Sequence, residues 1–341
     1  MRREIAAASL ALSDLGLSIQ PSSFSRTGDA MVELRTACQW IDVLVIAGET
    51  LPEIHPCVSQ WLTRAERLAP PALRALAGLP LLDMVEHGHH VNHTCRRTPD
   101  QLPHLAARCE ALWASWARAT HTHPIVAASL ALRTQLRERG WRYPELVRRA
   151  GALAERSGVR TPAILDWILG SAPLPLGPSD AREQLDGRTG YAHSDPDIVV
   201  AALALLDAGP DDRFYDLGSG LGLPCLIAAL SGRATYRGVE FHACYVERAR
   251  ENARELGLTS VEFCVGDVTT FDWSDGTHFY MFNPFPEHVL QIVADRLRSL
   301  SALKPIRIAC FHNLLPGSFT PIASNGALTV YQLSPATRAT T

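Results

Sequence analysis

"RFYDLGSGLGLPCLIAAL", residues 213–230, decides how this chain folds. A short aromatic and apolar run carries Asp216, glycine then stands at 218, 220 and 222, and an apolar stretch of Leu, Ile and Ala follows. The pattern reads as strand, tight turn and helix. Gly218 and Gly220 can take positive φ, and the missing Cβ at 220 and 222 lets ligand atoms approach main-chain N–H groups where the helix begins. In an open α/β sheet, ligands bind beyond the carboxyl ends of the strands, and the first strand-to-helix turn is the usual contact.

Outward from this turn, strands and helices alternate. "SDPDIVVAALALLDAG" precedes it, a helix opened by Ser194 or Asp195 with Pro196 in its first turn. After it come the strand "TYRGVEF", the helix "ACYVERARENARELG", the strand "VEFCVGD", the strand "HFYMFNPF", the helix "EHVLQIVADRLRSLS" and the strand "IRIACFH". "ALTVYQLS" reads as a last, antiparallel edge strand. Repeated βα units of this length predict a doubly wound parallel sheet. Upstream, "ALRALAGLPLLDMVEHG", "HLAARCEALWASWARA" and "PELVRRAGALAERSG" repeat apolar residues at helical spacing. The Pro-, Gly- and Asp-rich stretch from Leu169 to Gly190 separates the two patterns. The expectation is an all-helical N-terminal domain, residues 1–177, and an α/β catalytic domain, residues 178–341.

Composition narrows the function. The 341 residues carry a net charge near −3, and nothing approaches the roughly 20 apolar residues of a membrane span. The start, "MRREIAAASLALSDLGL", reads as an amphipathic helix rather than a signal peptide, because Glu4 and Asp14 interrupt the basic and apolar regions. A near-neutral chain lacks the electrostatic footprint of a phosphate-backbone binder, so no nucleic acid and no membrane are expected as partners. Eight cysteines include no C-x-x-C pair and imply reduced thiols in the cytoplasm. The single lysine, Lys304, among many arginines is the usage of a GC-rich, bacterial coding sequence.

The glycine spacing excludes two nucleotide sites. A dinucleotide fingerprint needs glycine or alanine where Leu223 stands, and a Walker loop needs G-K-[ST] where Leu223 and Pro224 stand. What remains is D-x-G-x-G-x-G with two further acids at successive strand ends. Glu240 can accept from both hydroxyls of a ribose, and Asp267 from an adenine amino group. Three such acids suit a nucleoside without phosphates.

On "DLGSGLG", "GVE" and "VGD", in this order and spacing, residues from about 188 to 315 resemble the class I S-adenosylmethionine-dependent methyltransferases, a Rossmann-like family. The resemblance implies S-adenosyl-L-methionine as cofactor and S-adenosyl-L-homocysteine as product. It places Gly218, Ser219, Gly220 and Gly222 around the methionine portion, Asp216 at its amino group, Glu240 and Phe241 at the ribose, and Asp267 and Val268 at the adenine. With "YMFNPFPEH", residues 280–288, the motifs are similar to the Dot1-like subgroup of protein lysine methyltransferases and to the N-P-P-[YF] element of amino-group methyltransferases. In that likeness Asn283 and the Pro284 carbonyl accept from a neutral amine, Phe285 packs beside it, and Asn283 also borders the donor. The chain departs from the pattern in reading N-P-F-P and in having no lysine-rich tail.

Further acceptor-side candidates are Tyr191, as a cover over the donor, and His193 or His312 as general base, with Glu287 and Asn313 nearby in sequence. In "EHGHHVNHTC", residues 86–95, Glu86, His89 and His93 have the spacing of a helical metal site, but Gly88 and Asn92 weaken the helix and no second ligand set follows; no metal is expected. Trp40, Trp61, Trp113 and Trp116 read as helix-packing residues. The sequence therefore predicts methyl transfer to a small-molecule acceptor, an amine of a biosynthetic route, with a protein lysine or amine as alternative. A non-catalytic adenosyl-binding module is the rival from another class. The helical domain is expected to cover the acceptor side or to form a homodimer interface.

Overall fold

The computed structural model describes residues 30–50, 55–75, 91, 94, 103–171, 194–282, 285–311, 315, 319–325 and 327–335. The described residues as far as Ala127 form one compact unit, and those from Ala128 onward form another.

The first unit is built on α1 (Ala30–Thr50), α2 (His55–Ala75) and α3 (Pro103–His121). Helical spacing puts Met31, Leu34, Cys38, Ile41 and Val45 of α1 on one buried stripe, and Val58, Leu62, Ala65, Ala69 and Ala72 of α2 on another. Trp40 and Trp61 stack with centroids 5.7 Å apart, the packing role expected of them. Arg108 of α3 makes a two-pronged bond to Glu66 of α2, at 2.7 and 2.5 Å.

The second unit contains a seven-stranded sheet of β1 (Arg213–Leu217), β2 (Thr235–Glu240), β3 (Val261–Val265), β4 (His278–Phe282), β5 (Ile306–Phe311), β6 (Pro321–Asn325) and β7 (Leu328–Leu333). The spatial order is β3-β2-β1-β4-β5-β7-β6, parallel as far as β5, with β7 antiparallel to β5 and β6 antiparallel to β7. This is the α/β sheet the sequence predicts, with β6 added; its "PIASN" lacks the apolar alternation that marks the other strands.

The helices of this unit are α4 (Pro124–Arg139, which begins in the first unit), α5 (Tyr143–Ser157), α6 (Thr161–Leu169), α7 (Pro196–Leu206), α8 (Leu223–Ser231), α9 (Ala243–Leu256) and α10 (Glu287–Ser301). At the start of α7, Asp195 accepts from Asp197 N at 2.8 Å and Pro196 occupies the first turn, so Asp195 is the capping residue. On one face of the sheet, Tyr215, Leu217, Phe279, Met281, Ile308 and Cys310 form a core with Leu290, Val293, Ala294 and Leu297 of α10. Full burial of each larger apolar side chain contributes about 1.5–3 kcal/mol.

No helix joins β3 to β4. Residues 266–277 are instead tied down by side chains: Trp273 Nε1 donates to Val268 O at 3.0 Å, and Arg296 of α10 donates to Val268 O and Phe271 O at 2.6 and 2.7 Å. The Arg296 guanidinium lies 4.1 Å from the Trp273 ring centroid.

Residues 128–171 fall in the same compact unit as the sheet. Arg133 of α4 donates to Asn252 Oδ1 of α9 at 3.0 Å and pairs with Glu255 at 2.7 Å. Asn252, fully buried, donates through Nδ2 to Gly170 O at 3.0 Å. Gly170 has φ +76°, and a Cβ there would strike Asn252. Arg142 closes the far end of α8, donating to Ser231 O and Gly232 O at 3.0 and 2.9 Å.

Candidate functional site: the carboxyl ends of β1 to β4

Strand β1 delivers Asp216 in register with Gly238 of β2 and Tyr280 of β4. The chain then turns at once. Gly218 N and Ser219 N both donate to Val239 O, at 2.8 and 3.1 Å, which folds the turn back onto β2. Gly218, Gly220 and Gly222 have φ of +83°, +50° and +83°, so the alternation of glycine in sequence is an alternation of left-handed backbone. Gly222 caps α8, and Leu226 N donates to its carbonyl at 3.0 Å. A Cβ at Gly222 would run into the buried Phe263 ring of β3, and one at Gly238 would lie 2.5 Å from the same ring and 2.7 Å from Ser219 Oγ. Close approach at 222 is therefore demanded by the protein's own packing.

Glu240 ends β2 and stands 7% exposed. Its Oε2 accepts from Gly220 N and its Oε1 from His242 N, each at 2.9 Å. One carboxylate thus holds both the glycine turn and the start of α9, and each oxygen keeps a second lone pair for a ligand hydroxyl. Phe241, beside it, is 40% exposed and meets His242 edge-on at 5.6 Å.

Asp267 follows β3. Its Oδ1 accepts from Thr269 N and Thr269 Oγ1, at 2.8 and 2.7 Å, so this acid also shapes its own turn. Val268 is buried in the core cluster with Trp273 and Val293.

Asp216 is 2% exposed, and among the described residues its Oδ2 has no hydrogen-bond partner. Burial, with the neighbouring Glu240 charge adding to it, pushes its carboxyl well above the usual carboxylate range. Ser219 Oγ is likewise buried without a partner among the described residues. Both line a cleft completed by Ser194, Gly218, Gly220, Leu223, Pro224 and Phe282. The Tyr280 hydroxyl, buried beneath, donates to Ser194 Oγ at 3.4 Å.

Of the predicted residues, the structure brings Asp216, Gly218, Ser219 and Gly220 into one cleft and sets Glu240 under its glycine turn. Phe285 packs against the core below β4. Tyr191, His193, Asn283, Pro284, His312 and Asn313 lie outside the described residues, as do Glu86, His89 and His93. Sequence reasoning did not assign Ser194, Leu223, Pro224 or Phe282 to the cleft. Their only signal is position: Leu223 and Pro224 directly after the glycine turn, Phe282 directly before Asn283, and Ser194 directly before the capping Asp195. Among the described residues, no cluster of His, Cys, Asp and Glu could hold a metal, and no helix is long and apolar enough to cross a membrane.

The glycine turn, its two buried acids and the strands carrying them lie within residues 209–293, which match a family model described as a methyltransferase domain. These residues form a class I S-adenosylmethionine-dependent methyltransferase domain. The chain is 49% identical over 72 residues to the 23S rRNA (uracil(1939)-C(5))-methyltransferase RlmD of Xanthomonas campestris pv. campestris, a match covering 21% of this chain and 16% of that protein. The RlmD of Aeromonas hydrophila subsp. hydrophila is 30% identical over 118 residues, 33% of this chain and 26% of that protein. The chain thus spans only about a sixth to a quarter of the length of these two relatives. An RNA methyltransferase from Salinibacter ruber, solved with S-adenosyl-L-homocysteine, is 27% identical, covers 43% of this chain and 95% of its own, and has a TM-score of 0.36. The two RlmD relatives are RNA methyltransferases, not members of the Dot1-like subgroup suggested by the fourth-strand motif. They also remove the support for excluding nucleic acid on net charge alone.

The residues of the methyltransferase domain fit an S-adenosylmethionine donor. A buried carboxylate with an unpartnered oxygen suits the donor's ammonium, whose arrival would draw the raised Asp216 pKa down. Left-handed glycines at 218 and 220 remove side-chain bulk from the same wall.

Proposed function

We propose that the chain transfers the methyl group of S-adenosylmethionine to the nitrogen of a small-molecule amine. The observation that carries the reading is the buried, unpartnered Asp216 Oδ2 in a cleft walled by the glycine turn. Asp216 and Ser219 hold the amino-acid end of the donor, and Glu240, already fixing Gly220 N, receives the ribose. Phe241 and Asp267, at the neighbouring strand ends, border the adenosine. The donor supplies a sulfonium methyl: the acceptor nitrogen's lone pair forms the new N–C bond, the S–C pair returns to sulfur, and the nitrogen's proton leaves to solvent.

On the acceptor side, Asn283 and Pro284 are assigned from the sequence motif, with Phe285 beside them. Their work is orientation of a neutral amine, because the donor is already reactive. Tyr191 is the candidate for closing over the donor, and His193 for relaying the acceptor's proton to solvent. A second reading, a base in RNA as acceptor, rests on the 49% identity over 72 residues to an rRNA methyltransferase.

Calorimetric titration with S-adenosylmethionine and S-adenosylhomocysteine tests the donor site. Micromolar binding that Asp216→Ala lowers at least tenfold is expected, and a folded wild-type protein that binds neither ligand refutes the reading. Transfer of labelled methyl to an amine panel and to ribosomal RNA then separates the acceptors. Labelling of RNA alone would replace the first acceptor with the second.

A further inference from the structure

Phe282 is the last residue of β4 and the partner of Phe311, the last residue of β5, in the parallel register. Their rings stack with centroids 4.7 Å apart and planes 4° from parallel. Side chains alternate along a strand, so Phe282 projects from the same face as Tyr280, and the Asp216–Tyr280 pairing puts Asp216 on that face too. The β1–β4 pairing ends at Asp216–Tyr280, and the chain then turns at Gly218. Glycine offers no side chain there, and Phe282 joins Asp216, Gly218, Gly220, Leu223 and Pro224 in lining the cleft.

A donor with two cationic centres enters a cleft whose wall, among the described residues, carries one carboxylate, Asp216. That carboxylate answers the ammonium, which has N–H groups to donate. The sulfonium has none, and its charge is spread over soft carbon and sulfur. An aromatic π system is a suitable neighbour for such a cation, as for quaternary ammonium groups. Phe282 is the one aromatic residue lining the cleft among the described residues. Stacking on Phe311 limits its rotation, so the ring is placed before a ligand arrives.

We propose that Phe282, held by Phe311, recognises the sulfonium and makes the site favour the charged donor over the neutral thioether product. The proposal rests on the reading of the cleft as a donor site. It assigns Phe282 a part in turnover, because loss of the charge on methyl transfer removes one attraction and eases product exchange.

The test is the ratio of dissociation constants for S-adenosylmethionine and S-adenosylhomocysteine, measured by calorimetry on the full chain. In Phe282→Leu, donor affinity is expected to fall about three- to thirty-fold while product affinity changes less than twofold. Phe282→Tyr, which keeps a π system, should hold the wild-type ratio within twofold. Phe282→Met serves if the leucine variant does not fold. Equal weakening of both ligands, or an unmoved donor constant, would overturn the proposal and leave the donor site standing. A folded wild-type chain that binds neither ligand would overturn both.

Discussion

Gly222→Ala tests whether the third glycine of the turn is there for the fold or for a ligand. The residue sits at φ +83°, and left-handed backbone costs a residue with a Cβ about 1–2 kcal/mol. The added methyl would also collide with Cζ of Phe263 and lie 2.5 Å from Cε1 and 3.1 Å from Ala249 Cβ. Phe263 is 1% exposed and cannot swing into solvent, so overpacking adds about 1–3 kcal/mol. The sum, about 2–5 kcal/mol, is a large part of the roughly 5–15 kcal/mol that stabilises a typical domain. Equilibrium urea unfolding followed by tryptophan fluorescence reads it, with Trp273 buried in the same unit. The cycle with Phe263→Leu isolates the contact, because leucine has neither Cε1 nor Cζ. In that background Gly222→Ala should cost at least about 1 kcal/mol less, with the backbone term remaining. An equal cost in both backgrounds would refute the packing argument and leave only the conformational one.

Asp216→Asn should raise the melting temperature at neutral pH while weakening donor binding. The wild-type folded pKa lies above the unfolded one, so stability is lost as pH rises from the ordinary carboxylate value through the folded pKa; the gain from asparagine should shrink toward pH 4, and a gain unchanged by pH would contradict the assigned cause. Asn252→Ala should destabilise the second unit by about 2–4 kcal/mol in urea titration, since it strips Gly170 O and the buried Arg133 of a partner each, and a loss under 0.5 kcal/mol would show that this node does not hold residues 128–171 to the sheet.

The strands β1 to β5 and their helices were legible because each strand is a short apolar run followed by a turn residue, and the donor motif was legible because Asp216, Glu240 and Asp267 each lie at or just beyond the end of a strand. Packing across the sheet was not. The reason for Gly222 is Phe263, forty-one positions later, and nothing local announces it. Phe282 and Phe311 become a stacked pair only once the β4–β5 register is known. Helices α5 and α6 carry the same periodicity as those of the first unit, so periodicity could not say which unit they join; Arg133, Asn252 and Gly170 decide it. The strand β6 was missed because proline, serine and asparagine interrupt the apolar alternation in "PIASN".

These non-local contacts change which residues report on the ligand. Glu240 spends both oxygens on Gly220 N and His242 N, so its removal leaves two main-chain donors without their partner and deforms the turn whether or not a ribose ever touched it. Asp267 has the same double duty through Thr269. Lost binding in either variant is therefore ambiguous between a missing contact and a collapsed turn. Asp216 Oδ2 and the Phe282 ring are better reporters: the first makes no hydrogen bond among the described residues, and the second can be exchanged for tyrosine with its stack retained. The same bonds set the turn in place without a ligand, with Val239 O holding Gly218 and Ser219 and Glu240 holding Gly220. A donor meeting this glycine turn has little of the turn itself to order, so the groups of the turn that face it act at little entropic cost.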